Sequence, residues 1–161
     1  MSRSKDIGTR AETAVVRYLR AHGFPHAERR ALTGTQDQGD ITGTPGVCWE
    51  VKAWKRTAGD GQITAWLAET ETERINARAD IGVLVVRRAG VGDPNAGRWW
   101  AIMPIHDLEH ILAAGLARLF DEPQEPFVVD NAAPVRMLLA DVVQLLRAAG
   151  YGDPLSTDAD A

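Results

Sequence analysis

The sequence predicts an α/β fold: a mixed sheet of four or five strands, two helices packed on it and a C-terminal helical extension. Three observations carry this. Ile81-Gly82-Val83-Leu84-Val85-Val86 is a near-continuous apolar run of strand length, as expected of a strand covered on both faces. Residues 6–22 and 62–78 place apolar side chains at helical spacing. Gly43-Thr44-Pro45-Gly46 separates two β-type runs, which is a turn signal within a hairpin.

In order, residues 1–5 read as a small basic tail. The first helix follows, with Ile7, Ala11, Ala14, Val15, Tyr18 and Leu19 on its apolar stripe and Gly23 ending it. His26 to Leu32 is a short strand carrying Glu28-Arg29-Arg30, and Thr33 to Gln38 a polar loop. The hairpin strands carry Asp40-Ile41 and Val47 to Ala53, and a turn at 57–61 leads to the second helix, with Ile63, Trp66, Leu67 and Thr70 buried. Glu69, Glu71 and Glu73 read as its solvated face. After the 81–86 strand come a loop at 90–97 and a last strand at 98–103. His106 and His110 stand four apart on a further helix without the H-E-x-x-H pattern, so they read as surface residues. A Pro-rich acidic connector at 121–134 precedes a helix at 135–149 with Val135, Leu138, Leu139, Val142, Leu145 and Leu146 on one face. The expected organisation is a core over 1–104, a helical extension over 105–150 and a disordered tail over 151–161.

With 161 residues, one domain has room for a real core. A single cysteine, Cys48, excludes an internal disulfide and a cysteine-based zinc site. There is no signal-peptide pattern and no apolar run of membrane-spanning length, so a cytoplasmic protein is expected. The net charge of −4 is unevenly spread: +4 over residues 1–56, −1 over 57–100 and −7 over 101–161. Phosphate contacts need local positive charge, and that charge lies in the third holding the hairpin.

The hairpin carries the chemistry. Side chains alternate along a strand, so Glu50 and Lys52 share a face with Cys48, while Val47, Trp49, Val51 and Ala53 face the core. The turn brings Asp40 beside them. Two carboxylates and a lysine at one point suit divalent-metal phosphodiester chemistry, since Mg²⁺ is held by one or two carboxylates plus phosphate and water. The lysine can orient the attacking water and offset charge developing on the phosphate. Asp37 competes for the metal, but Ile41 follows Asp40 directly and fixes it on the strand. Periodicity leaves Glu12 open between a helix-border residue and a carboxylate aimed at the metal. Trp54 either caps the core or, with Lys55 and Arg56, meets a nucleic-acid backbone.

The ordered set Glu12, Gly39-Asp40-Ile41 and Glu50-Val51-Lys52 resembles the PD-(D/E)XK nuclease superfamily, and within it the archaeal and phage Holliday-junction resolvases. The resemblance covers roughly residues 5 to 104; the proline that precedes the first acid in the superfamily is replaced here by Gly39. It implies a restriction-endonuclease-like sheet and a Mg²⁺- (or Mn²⁺-) dependent endonuclease. Asp40 and Glu50 would hold the metal, with the Val51 carbonyl a further ligand. Glu12 would complete the acidic pocket, Lys52 would position the water, and Gln62 and Thr35 (or Thr33) would assist. Lys5, Arg10, Arg29, Arg30, Lys55 and Arg56 are the expected DNA contacts; Arg29 and Arg30 alternate faces, so one is placed for DNA and the other for solvent or a carboxylate.

The expected partner is DNA, branched on the strength of the resemblance, and no nucleotide cofactor is expected because no phosphate-cradling loop is present. Two symmetric cuts in a junction suit a homodimer, with the 135–149 helix either its seam or packed on its own sheet. Repair, restriction-type or RNA cleavage would use the same core. A catalytically silent DNA-binding subunit is the alternative of a different class.

Overall fold

A computed structural model describes residues 3–31, 36–54, 56–123 and 132–154. The protein is α/β, as the sequence predicts: a six-stranded mixed sheet with helices on both faces. The elements are α1 (Arg3–Ala21), β1 (Glu28–Arg29), β2 (Ile41–Thr42), β3 (Val47–Lys52), α2 (Asp60–Ala77), β4 (Ile81–Val86), β5 (Trp100–Pro104), α3 (Ile105–Phe120), β6 (Pro134–Leu138) and α4 (Leu139–Ala148). The strands lie in sequence order, with β3 and β4 parallel and every other neighbour antiparallel. The parallel pair requires a crossover, and α2 supplies it.

Two apolar layers enclose the sheet. On one face Val47, Trp49, Val51, Val83 and Val85 meet α1 through Val15 and Leu19 and α4 through Leu139, Val142 and Leu146. Trp49 is central here: fully buried, it donates from Nε1 to Thr44 Oγ1 at 3.2 Å and meets Phe24 edge-on. On the other face α2 lays Ile63 and Trp66 over Leu84, Val86 and Ile102.

The C-terminal third departs from expectation. The helix expected over 135–149 begins only at Leu139, and Pro134–Leu138 form β6, paired from Trp100↔Leu138 to Pro104↔Pro134. Without β6, the N–H and C=O groups along the free side of β5 would have no ladder partners. Val135, Leu138 and Leu139 fit a helical period, but satisfying the sheet edge overrides it locally. The expected boundary at 104/105 therefore falls inside one sheet and one core, because β6 extends the former and α4 fills the latter.

Smaller differences have similar causes. Among the described residues, the strand expected over 26–32 is Glu28–Arg29 alone, and the segment at 93–98 forms a 3-10 turn with Pro94 near its start. His106 and His110 are exposed, as read from the sequence. Among the described residues, no helix is long and apolar enough to cross a membrane.

Candidate active site

The site grows from the β2–β3 hairpin. Gly39 has φ +84, and a Cβ there would stand 2.8 Å from both Cys48 Sγ and the Trp49 carbonyl oxygen. Proline, fixed near φ −65°, could not adopt this backbone, which accounts physically for glycine at that place. Asp40 follows, its N–H donating to the Trp49 carbonyl at 2.8 Å and its carbonyl accepting from the Arg30 N–H at 2.7 Å. The Asp40 side chain turns toward β3 and accepts from the Val51 N–H at 2.8 Å.

Glu50 and Lys52 share a face of β3, and their side chains meet at 2.6 Å. That face lies beneath α2, so Glu50 is only 7% exposed. The α2 helix adds two acids. Glu69 meets Lys52 Nζ at 2.9 Å, and Glu73 lies close enough to Glu50 to raise it. Glu73 is buried, with Oε2 lacking any partner. Reading it as part of a solvated face is therefore corrected. The signal was present: Ile63, Trp66, Thr70 and Glu73 follow one another at three- and four-residue steps, a single helical stripe, and all four are buried.

Burial and crowding of like charge dominate the electrostatics. Asp40 is raised to about 7, first by desolvation, then by the charge of Glu50, with Glu12 adding to it and the Val51 N–H opposing. Glu50 is also raised to about 7, by desolvation and Glu73, against the opposing ammonium of Lys52. Glu73 is raised too, mainly by desolvation. Burial alone would lower Lys52, yet its hydrogen bonds to Glu50 and Glu69 outweigh this and hold it well above the usual lysine range. Both contacts favour its ammonium form. Cys48, pushed up to about 12 by burial among these acids, is an inert thiol.

The other expected residues divide. Glu12 lies near enough to raise Asp40, but its carboxylate is engaged by Arg29 at 2.7 Å. Arg30 folds onto Gln38, donating to Oε1 at 3.0 Å, instead of facing an open surface. Arg10 is largely exposed and pairs with Asp93 at 3.1 Å. Gln62 stands seven residues before Glu69, about 10 Å along the helix, and no hydrogen bond links it to the acids. Asp37 braces the loop, accepting from the Gly39 N–H at 3.3 Å. Trp54 is exposed and packs edge-on to Trp66. Thr33, Thr35 and Lys55 lie outside the described residues, as does the side chain of Lys5.

No protein-family model, curated protein or solved structure matches the chain. What the site can do rests on its own residues.

Among the described residues, no three His, Cys, Asp or Glu side chains stand ready to enclose a metal ion. The oxygens are instead engaged internally: Asp40 with the Val51 N–H, Glu50 with Lys52, and both carboxylates with neighbouring acids. The donor chemistry nevertheless fits a hard divalent cation. All donors are carboxylate oxygens, Glu73 Oε2 is buried without a partner, and Asp40 and Glu50 are raised by burial and by neighbouring like charge, which a cation would offset.

Proposed function

We propose that the protein is a Mg²⁺- (or Mn²⁺-) dependent endonuclease of the PD-(D/E)XK type that hydrolyses DNA phosphodiester bonds, with branched DNA such as a four-way junction as its substrate. The observation that carries this reading is the convergence of Asp40, Glu50 and Lys52: the hairpin acid is held against β3 by the Val51 N–H, and Lys52 sits 2.6 Å from Glu50. Asp40 and Glu50 would hold the metal, with the Val51 carbonyl a further ligand and Glu73 within the same acidic set. The bound ion would polarise the phosphate and lower the pKa of its water. Lys52, paired with Glu50 and Glu69, would offset negative charge developing on the phosphate and orient the attacking water. Glu12 contributes field, and its pairing with Arg29 steadies α1 against β1.

A homodimer supplies the two symmetric cuts that a junction requires. Its seam is not the apolar stripe of α4, because Leu139, Val142, Val143 and Leu146 are buried in the chain's own core.

A second reading is a silent DNA-binding subunit. It is favoured by the salt bridges that occupy Lys52 and by acids not poised to enclose an ion as they stand. Incubating four-way junction, linear duplex and single strands with Mg²⁺ or EDTA decides between them. Mg²⁺-dependent cutting that Glu50→Gln abolishes supports the nuclease; binding without cutting by the wild type supports the silent subunit.

A further inference from the structure

Beyond the acidic site, the same face of the sheet carries a second feature. In cross-strand register, Lys52 opposes Val86 and Val86 opposes Trp100, while Glu50 opposes Leu84, Leu84 opposes Ile102 and Ile102 opposes Arg136. Trp100 and Arg136 therefore stand on the face that holds Glu50 and Lys52. Strands are about 4.8 Å apart, so Trp100 lies two strands, or about 10 Å, from Lys52. Here a cleft of about 250 Å³ opens, lined by Arg56, Arg87, Arg88 and Arg136 over Trp100.

The chemistry of the cleft is one-sided. The Arg88 guanidinium lies 4.5 Å from the Trp100 ring centre and that of Arg136 5.7 Å away. Arg87 pairs with Asp93 at 3.0 Å, a carboxylate it shares with Arg10. Among the described residues, no carboxylate pairs with Arg56, Arg88 or Arg136. Like charges gathered in a concavity repel unless an anion joins them, and the indole holds two of the forks in place beforehand. Planar guanidinium groups match phosphate oxygens in pairs.

We infer that the cleft of Arg56, Arg88, Arg136 and Trp100 binds backbone phosphates of the substrate DNA strand, close to the bond to be cut. This rests on the nuclease reading for its substrate. About 10 Å corresponds to roughly three base steps at 3.4 Å per step, so one strand can occupy both places. The acidic site alone repels DNA, and this cleft supplies the compensating charge on the same face. Arg88 and Arg136 were not singled out from the sequence, because they lie on separate strands and only the β4–β5–β6 register joins them.

The test measures binding of fluorescein-labelled junction, duplex and single-stranded DNA in EDTA over a range of NaCl, for the wild type, R88Q/R136Q and R88K/R136K. Losing two phosphate contacts lowers the slope of log affinity against log salt by about 1.8 on duplex and about 1.4 on a single strand. The glutamine pair is expected to show that loss with an unchanged melting temperature. The lysine pair, which keeps both charges, is expected to retain the wild-type slope. Equal slopes for all three proteins would overturn the inference. So would a lysine pair as impaired as the glutamine pair, since the arginines would then act by packing on Trp100. Displacement of the DNA by equimolar inorganic phosphate would also overturn it, marking a site for a free anion. Mg²⁺-dependent cutting by the wild type is scored separately: cutting with unaltered slopes removes only the cleft, and altered slopes without cutting remove only the nuclease.

Discussion

The Val51 N–H donates to the Asp40 carboxylate at 2.8 Å across eleven positions of sequence. The bond fixes the hairpin acid to the strand bearing Glu50 and Lys52. Asp40→Asn keeps an oxygen that can accept it but removes one of the crowded charges. Cleavage should be lost, while the melting temperature in EDTA at pH 8 stays equal or rises. Asp40→Ala leaves the Val51 N–H without its partner and should cost about 1–3 kcal/mol if that group stays shielded from water. A melting temperature for Asp40→Asn well below wild type would show that the charge stabilises the fold.

Stability without metal should fall as pH rises. Asp40 and Glu50 are both raised to about 7, so the folded state holds protons that the unfolded chain has released. Their contribution is fully present below the ordinary carboxylate range, about pH 4, and is lost as pH rises through about 7. Mg²⁺ bound only by the native state opposes this loss, by about 2.7 kcal/mol at a hundredfold excess over its dissociation constant. The added stability should be larger at pH 8 than at pH 6, because the ligands must lose protons to bind. Thermal melts at both pH values, with and without Mg²⁺, check this; a Mg²⁺ shift of equal size in Asp40→Asn would place the ion elsewhere.

Lys52→Ala should abolish cleavage and also weaken the fold. Lys52 is three-quarters buried and is the cationic partner of Glu50. Breaking a buried pair costs about 3–5 kcal/mol, and the partial exposure of Lys52 puts this case at or below the low end. Glu50 can relieve the loss by taking up a proton, so the destabilisation should be smaller at pH 6 than at pH 8. Urea melts at the two pH values check this, and a pH-independent loss would mean that Glu50 is already neutral in the wild type.

The α/β class, the 81–86 strand and the Asp40–Glu50–Lys52 grouping were legible because each rests on local pattern: an apolar run, a turn, a period of two. What escaped depends on contacts between distant segments. Glu73 was read as part of a solvated helix face, and it is buried beside Glu50 because α2 packs on that face of β3. Residues 134–138 became a strand because β5 needed a partner, a demand that no window on the sequence contains. The Arg29–Glu12 ion pair likewise forms only because α1 brings Glu12 to β1.

Gly39→Ala should damage fold and activity together. Its φ of +84 disfavours any side chain, and the new Cβ would meet the Trp49 carbonyl oxygen at 2.8 Å, backbone that cannot swing away. Holding an alanine there costs about 1–3 kcal/mol. The chain relieves the strain by shifting Asp40, the next residue, away from Val51. Reduced stability and reduced cleavage should therefore appear together even with saturating Mg²⁺. Wild-type cleavage by a destabilised Gly39→Ala protein would show that the acid tolerates this displacement.

A chain ending after Glu122 should fail to fold. It would lack β6, leaving one side of β5 without its ladder, and α4, whose Leu139, Val142, Val143 and Leu146 lie in the main core. Deleting one buried leucine side chain costs about 2–5 kcal/mol, and the whole stability of a domain is about 5–15 kcal/mol. Losing two such leucines, two buried valines and the β6 ladder together is comparable with that whole margin. The truncated chain should show no cooperative thermal transition and should lose its near-ultraviolet circular dichroism, whereas Leu146→Ala in the full chain should fold with a lowered melting temperature. A truncated protein that melts cooperatively would show that residues 1–122 hold a self-sufficient core and that the C-terminal third is an addition to it.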